Sequence, residues 1–191
     1  MNKIGVLAIQ GDFERHKQMV LSLGYEVAEV RSPKELSKVD KLIIPGGEST
    51  TIIKLLSKFQ LVDSIKEFGK KNPVLGTCAG LIILSHSVDN LPIAPLNLID
   101  IHTIRNAYGR QKESFIDEIN LNLNGSTEKF MGVFIRAPKI IKYGTDVNVL
   151  GTHKNDVVMA SSGNVLVCTF HPELSNDLKI HSYFIEEFNS N

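Results

Sequence analysis

The 191-residue chain is short of cysteine: Cys78 and Cys168 are its only two. A secreted disulfide framework normally carries more, so both are expected to be free thiols. It also lacks any surplus of charge, with 21 Lys and Arg against 21 Asp and Glu. Without a basic excess there is no phosphate-neutralising patch, and nucleic acid is not expected as a partner. Long hydrophobic runs are missing too. The first, in "MNKIGVLAIQGDFERH", is stopped by Gln10 after the seven residues 3–9, too short for a signal peptide or a membrane span. A cytoplasmic protein with no membrane contact is expected. His16, His86, His102, His153 and His181 show no paired spacing of the H-E-x-x-H or C-x-x-C kind, so no metal is expected. Repeats, linkers and low-complexity segments are absent as well.

What remains is ordinary globular composition, 42% hydrophobic and 22% charged, in a length that suits one domain spanning residues 1–191. Residues 3–9 form a short apolar run. His16, Met19, Val20 and Leu23 then recur at the spacing of one helical face, and Gly24 is placed to end that helix. "YEVAEV" and "KLIIPGG" read as strands. Ile52, Leu55, Leu56 and Phe59 mark a further helix, Leu61, Ile65 and Phe68 a shorter one, and "NPVLG" a buried strand. Strands alternating with helices predict an α/β fold with a mostly parallel sheet covered on both faces. From about residue 97 the pattern turns to short strands, "FIDEINL", "FMGVFI", "NVLGTH", "VVMASS" and "NVLVCTF", expected to add antiparallel strands to that sheet. Ile180, Tyr183, Phe184 and Phe188 close the chain with helical spacing.

One stretch carries chemistry. "GTCAGLI" sets Cys78 between two glycines, after a strand and before a helix, the thiol form of a nucleophile elbow. Small neighbours let the turn close, and the helix N-terminus favours the thiolate. An isolated cysteine there would more simply be a buried core residue; the G-x-C-x-G frame makes catalysis an equal reading. A thiol nucleophile needs a base, and the base an orienting group. "CTFHPEL" offers both: His171 falls at the carboxyl end of a two-face-buried strand, the edge on which ligands bind in such sheets. Pro172 biases His171 toward an extended backbone, which would place Glu173 on the same side. Cys168 sits mid-strand with no adjacent base and is assigned to the core. "PGGESTT" at 45–51 joins a strand to a helix with two glycines, and a cap at Ser49 or Thr50 would leave N–H donors for an anion. Arg105 and Arg136 are cations able to fix a carboxylate, although a plain structural ion pair explains either alone.

The elbow with a late "FHPE" resembles the class I glutamine amidotransferases. "IGVLAIQGDFERH", "PGGESTT", "GTCAGLIILS", "RNAYGRQ" followed by "SF", "FIRAP" and "FHPEL" are similar, in order and spacing, to one branch. That branch holds the glutaminase subunits of pyridoxal 5′-phosphate synthase, the PdxT family. The resemblance implies a three-layer, flavodoxin-like α/β fold and hydrolysis of L-glutamine to L-glutamate and ammonia, with no cofactor. It implies that Cys78 attacks the side-chain amide, that backbone at Gly47 and Ala79 stabilises the oxyanion, and that His171, oriented by Glu173, moves the protons. Glutamine binding is carried to Gly47, Glu48, Ser49, Arg105, Ile135 and Arg136. The implied partner is the synthase subunit, PdxS, a (β/α)8 barrel in a large double-ring complex, with Gln10 and His16 near it. The loop around Gly47 is then expected to be completed only on synthase binding. Two features depart from the family: "RNAYGRQ" has Ala107 and Tyr108 where Ser and Phe are frequent, and residues 86–97 match no part of the pattern. A PfpI-type cysteine protease is disfavoured by the "HPE" and "PGGES" motifs, and a non-catalytic scaffold by the presence of all three triad residue types.

Overall fold

A computed structural model describes residues 3–107 and 114–188. The apolar runs become strands: β1 (Lys3–Leu7), β2 (Glu26–Val30), β3 (Lys41–Ile44) and β4 (Val74–Thr77), joined late in the chain by β12 (Val165–Cys168). These five lie side by side and parallel in the order β2-β1-β3-β4-β12. Every residue of β3, β4 and β12 is buried, as a parallel strand covered on both faces requires. Alternate residues feed opposite faces. Leu42, Ile44, Val74, Val165 and Val167 enter one apolar core, while Ile43, Leu75, Leu166 and Cys168 enter the other.

Helices cover both faces, giving three layers. On the first core pack α3 (Ser49–Lys58), α4 (Val62–Gly69) and α5 (Ala79–Leu84), through Ile52, Leu56, Ile65 and Leu81. On the second pack α1 (Phe13–Ser22) and α6 (Lys179–Ser182), through Val20 and Ile180. A short α2 (Pro33–Leu36), capped by Ser32, was not anticipated. Helix α1 stops where expected: Gly24 has φ +82° and donates its N–H to Leu21. Phe59 departs from the expected face, for it caps α3 and is 40% exposed. The closing segment departs too. After α6 the backbone widens into a π-turn (Tyr183–Glu187), with the Phe188 N–H on the Tyr183 carbonyl at 2.8 Å. Buried Lys41 donates to the Phe184 and Phe188 carbonyls at 2.9 and 2.8 Å, tying the tail to β3.

The second half adds strands β7 (Ser114–Leu123), β8 (Ser126–Ile135), β10 (Asn148–His153) and β11 (Asp156–Ser162) antiparallel, extending the sheet beyond β12 in the order β11-β10-β7-β8. A separate three-stranded sheet was not anticipated. It consists of β5 (Ser85–Asp89), β6 (Ile99–Ile104) and β9 (Lys139–Tyr143) in the order β5-β6-β9, with Ile99, Ile101 and Ile140 closing over the first core. The unmatched residues 86–97 lie in β5 and the loop leading to β6. No helix among the described residues is long and apolar enough to cross a membrane.

Candidate active site

The carboxyl ends of β1, β3, β4 and β12 converge on a cavity of about 340 Å³, large enough for a small polar metabolite. At its floor is Cys78, between β4 and α5, with φ +48° and ψ −102°. This region is costly for a residue with a Cβ. Its backbone N–H is held by the Cys168 carbonyl at 2.9 Å on the adjacent strand. The framing glycines follow from close approach. A Cβ on Gly80 would collide with the Ile44 carbonyl, and one on Gly76 would stand 2.7 Å from Leu84 and 2.8 Å from the Gly80 backbone. The turn can therefore hold the thiol at the sheet edge only if both neighbours lack side chains. The Cys78 sulfur lies 3.8 Å from the Ile135 carbonyl.

His171 follows β12 and lines the cavity beside Cys78, near enough for the thiol to raise its pKa. Its N–H is anchored on the Val133 carbonyl at 2.8 Å, and its Nδ1 meets Glu173 Oε1 at 2.7 Å. The expected His–Glu contact forms, by a different backbone route. Residues Pro172–Leu174 make a 3₁₀ turn rather than an extended run, and it is this turn that brings Glu173 under the ring. Burial disfavours an imidazolium here, but the hydrogen bonds and charges of Cys78 and Glu173 outweigh it and push His171 up to about 10. Glu173 is itself buried, which favours its neutral form. The nearby His16 and the His171 bond prevail and hold it below the usual carboxylate range.

His16 does not lie where a partner contact requires. Its side chain is fully buried, with Nε2 3.3 Å from Glu173 Oε2 and 3.2 Å from Thr77 Oγ1, and Nδ1 2.9 Å from His181 Nε2. Helix α1 brings it there, and α6 brings His181. Asp12, His171 and Glu173 place ligand-type atoms within 4.8 Å of one another, yet Glu173 Oε1 is already engaged by His171 Nδ1. Cys168 is a buried free thiol whose burial pushes its pKa well up, as suits a core residue.

Gly47, Glu48, Ser49, Ala79, Arg105, Ile135 and Arg136 all line the cavity with Cys78 and His171. The α3 cap differs from expectation: it is Glu48, not Ser49 or Thr50. Its carboxylate accepts from the Thr50 and Thr51 N–H groups at 3.1 and 2.6 Å and from the Thr51 hydroxyl at 2.6 Å. These bonds hold its pKa down and occupy the helix-end donors first thought open to an anion. Gln10 Oε1 in turn accepts the Glu48 N–H at 2.9 Å. Arg105 donates to the Thr50 hydroxyl at 3.3 Å and to the Asn90 carbonyl at 2.7 Å, while its buried Nε has no partner. Arg136 sits at φ +43°. Asp12, Ile82 and Asn106 also line the cavity and were missed, though two of them stand inside the quoted "QGD" and "RNA" stretches. Thr77 and His181 were missed as well. Tyr108, Gly109, Arg110 and Gln111 of the "YGRQ" stretch lie outside the described residues.

Several known proteins are similar to this chain over nearly its whole length. The model of the SNO glutamine amidotransferase family matches residues 6–190. A pyridoxal 5′-phosphate synthase subunit PdxT of Thermosipho africanus is 50% identical over 184 residues, covering 96% of this chain and 97% of the relative. That of Fervidobacterium nodosum is 49% identical, covering 96% and 95%. A crystal structure of a glutamine amidotransferase superposes with a TM-score of 0.89 at 40% identity, covering 96% of this chain and 97% of its own. The PurLQS structure from Thermotoga maritima, at 16% identity and a TM-score of 0.70, shares the fold alone.

Proposed function

The chain belongs to the SNO glutamine amidotransferase family, and from that membership we propose that it hydrolyses L-glutamine and supplies the ammonia to a pyridoxal 5′-phosphate synthase for vitamin B6 formation. The observation that carries the reading is Cys78 held at φ +48°, sharing the cavity with a His171 that Glu173 grips at 2.7 Å.

In this reading the Cys78 thiolate attacks the side-chain amide carbon of glutamine, and the carbonyl electrons move onto oxygen. The Ala79 N–H at the start of α5, with backbone at Gly47, takes that developing charge. His171, protonated beside the thiolate, gives its proton to the amide nitrogen as the C–N bond breaks, and ammonia leaves. The resulting glutamyl thioester is cleaved by water, which loses its proton to His171. The C–S bond breaks, glutamate departs and the thiolate returns. Glu173 accepts the Nδ1–H of His171 throughout, fixing the ring so that Nε2 faces the reaction. Arg105, with its unpaired buried Nε, and Arg136 suit the substrate carboxylate, while Ser49 and Ile135 shape the pocket. The Gln10 bond to the Glu48 N–H supports a role for Gln10 in coupling a docking synthase subunit, PdxS, to the Gly47 loop. A double-ring assembly and a cytoplasmic site of action belong to the same proposal.

The test is glutamate release from glutamine by the chain alone and with a synthase subunit. Release that rises with the partner and disappears in Cys78→Ala supports the reading. A demonstrable complex with no release overturns it in favour of a scaffold.

A further inference from the structure

Around Glu173 the interior holds further polar groups that the hydrolysis does not use. His16, His181 and Thr77 are each 0% exposed and Glu173 3%, and they come from α1, α6, the end of β4 and the 3₁₀ turn. Buried imidazoles are retained only where hydrogen bonds compensate their desolvation. Here they form a chain of contacts: His16 Nε2 bonds Thr77 Oγ1 at 3.2 Å and stands 3.3 Å from Glu173 Oε2, a charge contact that leaves that buried oxygen without a hydrogen bond, and His16 Nδ1 bonds His181 Nε2 at 2.9 Å. The chain ends at His181 Nδ1, which is buried and has no partner.

That orphan nitrogen fixes the protons. Burial pushes both imidazoles toward the neutral form, His181 down to about 3, and a neutral ring carries one N–H. If His16 donates from Nδ1, then His181 must carry its proton on Nδ1 as a buried donor without an acceptor. His16 would also turn a bare lone pair toward the Glu173 carboxylate. If instead both rings are protonated on Nε2, His181 donates to His16, and His16 donates toward Glu173 Oε2 and Thr77 Oγ1. Only a bare acceptor lone pair is then left over, which is the cheaper defect. The second arrangement aims an N–H at the edge of Glu173 that His171 does not occupy.

We propose that His16, backed by His181, is a positioning residue of the triad: its Nε2–H, 3.3 Å from the otherwise unbonded Glu173 Oε2, favours the carboxylate by charge and keeps Oε1 on His171. The inference rests on the glutaminase reading of that triad. The groups facing Glu173 make the need plain. His171 holds Oε1, Cys78 and Cys168 stand close enough to interact with the site electrostatically, and the Asp12 carboxylate lies within 4.8 Å. Burial pushes Glu173 toward protonation, and a protonated Glu173 cannot support the imidazolium that releases ammonia. His16 is the donor on the inner side that opposes this.

The tautomers can be read in the wild-type protein by long-range nitrogen–proton correlation spectra of histidine-labelled chain. Nε2–H on both His16 and His181 is expected; Nδ1–H on either overturns the inference. This readout does not depend on activity, so it stands apart from any failure of the glutaminase reading, which would show as absent glutamate release by the wild-type complex. In the complex with synthase subunit, His16→Leu should lower kcat by about tenfold or more with KM little changed, and move the acid limb of the pH profile upward. His16→Gln, whose amide nitrogen reaches the Nε2 position, should recover most of that loss. Equal activities for Leu and Gln would contradict the proposal. Should the Leu variant fail to fold, His181→Leu is expected to shift the acid limb in the same direction, and an unmoved limb would count against it.

Discussion

Gly46 offers a sharp test of how tightly the loop and the triad are fitted. A Cβ built there would lie 2.5 Å from His171 Cε1, 3.1 Å from its Nδ1 and 3.5 Å from the Cys78 Cβ. Ordinary contact begins at 3.4 Å, so Gly46→Ala requires a displacement of 3.4 − 2.5 = 0.9 Å. Neither side yields freely. The ring is fixed by Glu173 at 2.7 Å and its backbone by Val133 at 2.8 Å, while the Gly46 carbonyl accepts from the Asp12 N–H at 3.2 Å. Misplacing a catalytic group by about 1 Å costs about 10²-fold in rate, or about 2.7 kcal/mol of barrier. Overpacking of this kind costs about 1–3 kcal/mol in stability. The assay is glutamate release with the synthase subunit, beside thermal melting of the chain. Gly24→Ala is the control: nothing lies within 4 Å of its Cβ, but φ is +82°. It should lose about 1–2 kcal/mol of stability from the left-handed backbone and no activity. A Gly46→Ala protein within threefold of wild-type kcat would refute the fitted-loop reasoning, as would equal losses in the two variants.

Other expectations follow from single contacts. His171 should titrate near 10, and Cys78→Ala, which removes one of the two groups that raise it, should move that titration downward in nitrogen NMR spectra. The folded value lies above the ordinary value of about 6.5. This proton's contribution to stability is therefore fully present below pH about 6.5 and lost as pH rises through about 10. Urea unfolding across that window should show a shallower loss in Cys78→Ala, and an unchanged slope would count against the coupling. Arg105→Ala should raise KM for glutamine about tenfold or more with a smaller change in kcat; an effect on kcat alone would remove Arg105 from substrate binding. Lys41→Met leaves the Phe184 and Phe188 carbonyls without their buried donor, at a cost of about 2 kcal/mol or more. It should lower the melting temperature, and an unshifted melt would show that the tail is held by packing alone.

The sequence made the parallel half legible because its strands are buried on both faces, so "KLII" and "PVLG" stand out as uninterrupted apolar runs. The elbow was legible because two glycines at fixed distance from a cysteine have few other uses. The triad partner Glu173 was found by proximity to His171, although the backbone between them turns rather than extends. The small sheet was missed because β5 and β9 are short and each buries only one residue, and so give no alternation of apolar and polar positions. The cap of α3 was misplaced because Glu is a less usual cap than the Ser49 and Thr50 that follow it. His16 and His181 could not be joined from sequence. They are 165 residues apart, and His181 lies off the Ile180–Phe184 apolar stripe that marks the closing segment. Only the packing of α1 and α6 on one sheet face brings them together.

The central claim is that Cys78, and not Cys168, is the nucleophile that glutamine meets. It is tested most directly with a diazoketone analogue of glutamine, the chain in complex with synthase subunit, and mass spectrometry of the peptides. The account predicts one adduct, on the Cys78 peptide, slowed by added glutamine and absent in Cys78→Ala. Labelling of Cys168, or labelling of Cys78 at a rate that glutamine does not change, would contradict it.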